Sequence, residues 1–375
     1  MKSSLENLNI ALVHDWLTNH AGGERVLLEM SELFPKAPIF TSVFDPKGAA
    51  SFKNKDVRPS FLQKFPLLKL KRELLVPLTP FAFEQINLSK FNLVLSSCSM
   101  ASKGVLTKPG TIHICYCHTP SRYLWEPEVD SRAKSGLFSG LRQSVAYKMR
   151  IWDRLAADRV DYFIANSNYV AARIKKYYQR DSVVIYPPVD IDSYEVGSKS
   201  EVKEYFLFVS RLVRYKKCDL IIDAFNDLGL PLKIIGRGPD KKYLQNKAKN
   251  NIEFLGYLSN DEMKKYYQEA KAFVFAAEED FGIVPVEAMA CGRPVIAFSG
   301  GAVKESVIDG MTGVLFQEQT PQCLIDAIKN FDADKFDAKQ IRRQAEKFSK
   351  EIFRKRYIET IEAILKNHPI SQDKN

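Results

Sequence analysis

Short apolar runs recur along the chain, with stretches of helical spacing between them. In the first half the runs at 9–14, 93–96, 112–116, 162–165 and 183–186 predict short strands. A loop over 15–23 leads from the first run into a helix predicted at 24–33. Asn166-Ser167 caps a second helix over 169–177, and a basic helical region spans 130–160. From about residue 200 the alternation quickens. Strands are predicted at 205–209, 232–235, 252–255, 273–277 and 294–298, and helices at 218–228, 240–249, 260–269 and 283–291. Strand and helix in turn is the mark of βαβ units, a parallel sheet and right-handed crossovers.

Pro187-Pro188-Val189-Asp190 is stiff and extended and reads as the entry to a linker. It divides an α/β chain into two domains, 1–190 and 200–349. An amphipathic last helix is expected over 349–365, with a disordered tail from Asn367.

The stretch 273–301 carries the densest chemistry. An apolar run ends in Glu278, Glu279 and Asp280, then Phe281-Gly282 opens a helix that contains Glu287 and stops at Cys291-Gly292. A loop feeding a helix N-terminus offers free N–H groups and a positive dipole end, a seat for phosphate. Glu279 falls at the carboxyl end of a strand, where open α/β sheets bind ligands. A carboxylate suits a vicinal diol such as a ribose edge. The plain structural reading makes both glutamates solvated acids. Glu287 sits among Val284, Val286, Ala288, Met289 and Ala290, where a carboxylate needs a partner.

Composition narrows the classes. The 375 residues are 45% hydrophobic and 27% charged, long enough for two cores. No apolar stretch is long enough to predict a membrane-spanning helix, and the N-terminus lacks the pattern of a signal peptide. Six scattered cysteines read as reduced and structural, in a cytoplasmic protein. Charge is uneven. Residues 1–190 hold 26 Lys and Arg against 17 Asp and Glu, and the remainder hold 29 against 28. A basic first half points to anionic partners: phosphorylated substrate, anionic membrane or nucleic acid. Within it, 53–76 interleaves seven basic residues with Phe and Leu. Two readings stay open for this segment: a peripheral contact with anionic membrane, or an amphipathic helix packed on its own domain.

Further candidates lie at strand ends. Gly22-Gly23 sits where a strand meets a helix and reads either as a plain turn or as a close approach to ligand. His118 follows the run 112–116. Arg211 and Lys216 follow 205–209, as solvated loop charges or as a grip on diphosphate. Gly236 and Gly238 follow 232–235, Tyr257 follows 252–255, and Ser299-Gly300-Gly301 follows 294–298. Asp190 and Asp192 form a D-x-D, but directly after Pro-Pro they read as linker, and no metal site is expected.

The segment from Glu279-Asp280-Phe281-Gly282 to Glu287-Ala288-Met289-Ala290-Cys291-Gly292 resembles the E-x7-E motif of retaining glycosyltransferases of family 4. Arg211 to Lys216 is similar to that family's R-x4-K, Gly22-Gly23 to its glycine-rich start, and His118 to Trp125 to its first-domain histidine segment. Two departures flank the first glutamate. Ala276-Ala277 stands where many members have Pro-Ser, and Asp280 replaces the commoner Gly.

The resemblance implies the GT-B architecture: two Rossmann-like domains with parallel sheets facing an interdomain cleft. The first would bind acceptor and the second the nucleotide-sugar donor, with the last helix packed back on the first domain. It implies a metal-independent enzyme without cofactor. Glu279, His118, Arg211 and Lys216 would be catalytic. Gly22, Gly23, Gly236, Gly238, Tyr257, Asp280, Phe281, Gly282 and Glu287 would line the donor. The His118 segment resembles the polysaccharide mannosyltransferase branch. That implies transfer of mannose from GDP-mannose to a lipid-linked or polysaccharide acceptor, as in O-antigen assembly, at the cytoplasmic face of the membrane. A UDP-sugar donor, or a non-catalytic nucleotide-sugar-binding partner subunit, are the alternatives. A nucleic-acid partner is not expected, since no recognition motif accompanies the charge.

Overall fold

The computed structural model describes Leu5 and residues 8–65, 72–126 and 139–368. Its strands form two sheets, and every pairing in both is parallel. The first holds β1 (Ile10–Leu17), β2 (Ile39–Phe44), β3 (Val57–Pro59), β4 (Leu93–Cys98), β5 (Ile112–Cys117), β6 (Tyr162–Ala165) and β7 (Ser182–Val184). Their order is β3-β2-β1-β4-β5-β6-β7. The second holds β8 (Phe206–Val209), β9 (Leu232–Ile235), β10 (Ile252–Gly256), β11 (Ala272–Phe275), β12 (Val295–Phe298) and β13 (Gly313–Phe316), in the order β10-β9-β8-β11-β12-β13. The α/β class with parallel sheets is therefore as expected.

Central strands are buried on both faces: every residue of β4, β5, β8 and β11 is buried. That is why they read as unbroken apolar runs. In each sheet the strand order reverses once, between β1 and β4 and between β8 and β11. Such switch points open a crevice at the carboxyl ends of the strands.

Local signals set the helices. Ser167 Oγ accepts from Val170 N–H at 3.0 Å and starts Asn168–Tyr178. Cys218–Leu228 stops at Gly229 in the left-handed region. Ser259 and Glu262 cap Asn260–Glu269 reciprocally.

The chain divides into two compact units. One runs to Tyr186 and resumes at Phe353; the other is 187–352. The last helix, Lys350–Asn367, supplies core to the first unit. Phe353 stacks on Tyr357 with centroids 5.4 Å apart, and Tyr116 meets both edge-on. Arg354 Nε donates to the buried Glu29 at 2.5 Å. In the second unit the two connecting stretches run side by side. Val189 N–H donates to Phe348 O at 2.9 Å, and Lys350 pairs with Asp190 at 2.9 Å. Asp190 of the D-x-D thus has a structural partner.

Several elements depart from expectation. β2, β3 and β13 and the helices Pro321–Lys329 and Ala338–Glu346 are additions. The segment 53–76 is not one amphipathic helix. It begins with edge strand β3, continues as a 3-10 turn at Phe61–Lys64, passes through 66–71, which lie outside the described residues, and resumes as 3-10 helix Arg72–Leu78. In sequence, Pro59 and Pro66 fall within the segment, and proline disfavours a continuous helix. Leu62 and Leu75 turn into the core, while Phe65 stays exposed. The tail from 369 lies outside the described residues.

Candidate functional site

In the second unit the candidate residues gather at the carboxyl ends of the neighbouring strands β8 and β11. After β8 the chain turns through Ser210–Val213 into the 3-10 turn Arg214–Lys216, closed by Lys217 in the left-handed region. This brings Lys216 Nζ into an ion pair with Glu279 Oε1, beyond the end of β11. Both side chains are mostly buried. Burial works against the Lys216 ammonium, but Glu279 and then Tyr215 more than offset it, so its pKa lies above the ordinary lysine value. The Tyr215 hydroxyl accepts from Arg211 Nη2 at 3.3 Å, while Lys216 Nζ lies 5.1 Å from the centre of its ring. One tyrosine thus touches both cations of the R-x4-K, and nothing in the sequence spacing singled it out.

Glycines shape this loop. A Cβ at Gly236 would fall on the Ser210 carbonyl oxygen, and one at Gly238 on that of Leu212. Leu212 N–H in turn donates to Arg237 O at 3.0 Å. The G-x-G therefore admits the backbone of the Arg211 loop itself. Gly301, at φ +70, does the same for the acidic loop: its Cβ would stand 2.6 Å from Glu279 O, which accepts from Ala302 N–H at 3.0 Å. Beyond β10, Tyr257 is exposed and carries the Arg237 guanidinium 4.5 Å from its ring centre.

Gly282, at φ +86, precedes the helix Ile283–Ala290, and Phe281 is buried. Glu287 lies on the inward side of this helix, 2% exposed, and Tyr267 OH donates to its Oε2 at 3.1 Å. The apolar neighbourhood of Glu287 thus does come with a partner, and the bond ties the helix to Asn260–Glu269. Glu279 and Lys216 are brought together, and Glu287 is bonded to Tyr267.

The first unit has its own cluster at the carboxyl ends of β1, β4 and β5. Asp15 is buried, and its carboxylate accepts four backbone N–H groups, from Ser99, Met100, Ala101 and Ser102, at 2.6 to 2.9 Å. It fixes the turn that follows β4. His14 and Ser97 are register partners on β1 and β4. His14 Nδ1 lies 3.0 Å from Ser97 O and 3.1 Å from Ser97 Oγ, which in turn lies 2.8 Å from His118 Nε2. His118 N–H donates to Cys98 O at 2.8 Å, holding the residue just past β5. Burial, with His14 beside it, pushes the His118 pKa down to about 3 against the opposing pull of Asp15, so the ring is neutral. Gly22 and Gly23 open the helix Gly22–Leu33, and Gly23 sits against the His118 ring, where a Cβ would be 3.5 Å from Nε2. Sequence spacing marked His118 and the two glycines. It missed His14, Asp15 and Ser97, whose one signal is that they end apolar runs.

Among the described residues no three His, Cys, Asp or Glu side chains gather to hold a metal ion, and no helix is long and apolar enough to cross a membrane.

Comparison with known proteins accounts for most of the chain. Residues 20–193 match the family described as Glycosyltransferase Family 4, and residues 191–348 match Glycosyl transferases group 1. An uncharacterized glycosyltransferase of Methanocaldococcus jannaschii is 32% identical over 209 residues, 54% of this chain and 58% of that protein. The chain thus spans little more than half of that relative's length. The alpha-1,3/1,6-mannosyltransferase ALG2 of Dictyostelium discoideum is 24% identical over 376 residues, covering 83% of this chain and 86% of that one. Among solved structures, Anabaena HepE in complex with UDP-glucose superposes with a TM-score of 0.68 at 19% identity, over 94% of this chain and 99% of the other.

Proposed function

The chain belongs to the group 1 and family 4 glycosyltransferases and has the GT-B type of fold, and from that premise we propose that it moves a hexosyl group from a nucleotide sugar to a hydroxyl of an acceptor glycan, with retention at the anomeric carbon. The observation that carries this reading is the Lys216–Glu279 pair at the ends of β8 and β11. It sets a cation for a diphosphate beside a carboxylate for sugar hydroxyls.

In this mechanism the bond between the anomeric carbon and the diphosphate oxygen breaks, and its electrons leave on that oxygen. Arg211, Lys216 and the N-terminal end of the helix Ile283–Ala290 take up the charge. The acceptor oxygen bonds to the anomeric carbon on the same face, and its proton passes to the departing phosphate oxygen. Glu279 holds sugar hydroxyls and positions the reacting carbon. His118 contacts the sugar; the first unit takes the acceptor and the second takes the donor. Glu287 supports the helix and holds the ribose hydroxyls. Gly236, Gly238, Tyr257, Asp280 and Phe281 line the nucleotide side.

The donor we propose is GDP-mannose, and the acceptor a lipid-linked or polysaccharide glycan. The likeness to a mannosyltransferase over 86% of that protein's length supports mannose, together with the segment His118 to Trp125. A UDP-sugar is the second reading, favoured by the likeness to a protein crystallised with UDP-glucose.

The test is turnover of a donor panel led by GDP-mannose and UDP-sugars. Membrane lipid extract serves as acceptor, for the wild type and Glu279→Ala. Mannose transfer that vanishes in the variant supports the full reading. Transfer from UDP-sugars alone keeps the transferase and discards mannose. Tight nucleotide-sugar binding with no transfer to any acceptor overturns it in favour of a non-catalytic subunit.

A further inference from the structure

We infer that Ser97 and His14 are positioning residues that lock His118 as the Nδ1–H tautomer, so that it meets its ligand only as a hydrogen-bond donor to an oxygen. The inference rests on the reading above for what that ligand is, but its geometry stands alone.

The proton positions follow from what each atom can do. The Ser97 carbonyl oxygen can only accept, so His14 Nδ1, 3.0 Å away, carries a proton whether His14 is neutral or charged. That proton is shared with Ser97 Oγ at 3.1 Å. Ser97 is fully buried, so its own hydroxyl proton needs an acceptor. His14 Nδ1, already protonated, cannot serve. Among the described residues the other group within reach of Oγ is His118 Nε2, at 2.8 Å. Nε2 must therefore accept, and the proton of the neutral ring resides on Nδ1.

The rest of the surroundings agree. The Nε2 end is enclosed by Gly23, against the ring, and by Ser97; Tyr116 lies edge-on with centroids 5.2 Å apart and His14 at 6.5 Å. Nδ1 is the ring's other polar atom, and none of these contacts engages it. Asp15, the acid whose charge acts on His118, has its oxygens taken by four backbone N–H groups, so they do not compete for the imidazole proton. A ring held in this way does not act as general base at Nδ1. It offers one directed N–H, which suits a sugar hydroxyl oxygen or a phosphate oxygen and rejects a donor-only group such as an ammonium.

The test labels histidine with 15N in the full chain and reads the His118 tautomer by long-range proton–nitrogen correlation, with His118→Gln assigning the signal. The wild type should show Nδ1–H. Ser97→Ala, a smaller side chain in a buried place, should shift His118 toward Nε2–H and lower kcat/KM about five- to tenfold, the scale of one hydrogen bond. Ser97→Thr, which keeps the hydroxyl, should restore both. A wild-type ring protonated at Nε2, or a tautomer unmoved in Ser97→Ala, overturns the inference. A tautomer that responds in a protein that transfers no sugar would leave the lock standing and sink the transferase reading instead.

Discussion

Lys216 and Glu279 are 63 residues apart in sequence and form one ion pair, each arriving from the end of a neighbouring parallel strand. Each side chain is the other's ion-pair partner. Diphosphate would compete with Glu279 for Lys216, and sugar hydroxyls would compete with Lys216 for Glu279. A nucleotide sugar brings both competitors at once, so under the proposed function each half of the donor frees the residue that the other half needs.

Glu279→Gln should therefore separate binding from turnover. We expect kcat for sugar transfer to fall about 10²- to 10³-fold, the scale of losing one positioned polar group in a transition state. Affinity for the free nucleoside diphosphate should rise, because Lys216 no longer has a carboxylate to leave. The Lys216 pKa should fall, since burial then acts on it without Glu279. Calorimetric titration with the diphosphate and single-turnover kinetics read the two effects; weaker diphosphate binding would contradict the account.

The glycines should divide into two classes on mutation to alanine. Gly236→Ala and Gly238→Ala drive a methyl into the Ser210 and Leu212 carbonyls and should destabilise the second unit by about 1–3 kcal/mol, the cost of a strained backbone. Gly23→Ala meets only ordinary contact with His118, and Gly23 begins a helix. Its melting temperature should hold or rise slightly. If Gly23 is there to let ligand approach, KM should rise all the same. Thermal melts alongside KM values distinguish the cases.

Stability should depend on pH through His113. This ring is fully buried, and burial pushes its pKa down to about 3. The unfolded chain takes up a proton near the ordinary value of 6.5 and the folded chain does not. The contribution of neutral His113 is thus complete above 6.5 and is lost as pH falls toward 3, at about 1.4 kcal/mol per pH unit. Urea unfolding of the first unit, followed from pH 7 down to 4, should show this slope, and His113→Phe should flatten it.

Tyr357→Ala should weaken the first unit by about 3–5 kcal/mol, as for other large aromatic core deletions. Its ring is fully buried between Phe353 and Tyr116. Hydrogen exchange should show faster opening in β1, β4 and β5 with β8 to β13 unchanged. Equal loosening of both units would show that they unfold as one.

Much of the fold was legible because buried parallel strands are short, apolar and regularly spaced. The helices at 218–228 and 260–269 were readable to the residue, since Gly229 and Ser259 mark their ends. β2 was hidden because Thr41 and Ser42 break its apolar run, although both are buried and donate to Asp15 O. β3 was hidden because it is a three-residue edge strand carrying Arg58. In the candidate sites, residue types were readable and their partners were not. Lys216 and Glu279 were each singled out, yet their pairing depends on β8 lying beside β11. His14 and Ser97 were passed over because only the register of β1 on β4 sets them together next to β5. A motif records the residues that act. The ones that hold them come from whichever strand the sheet places alongside.

The last helix bears on how the protein is made. The first unit lacks Phe353, Tyr357, Ile361 and Ile364 until 353–364 have been synthesised, after the whole of the second unit. The second unit, 187–352, is continuous and has its whole sequence available earlier. On a translating ribosome the usual order is therefore reversed: the unit encoded later can finish first, while β1 to β7 wait with one side of their core uncovered. A stop codon just before codon 353 would spare every residue of the E-x7-E and R-x4-K segments. It would still yield a product whose amino-terminal half is left for chaperones or proteases.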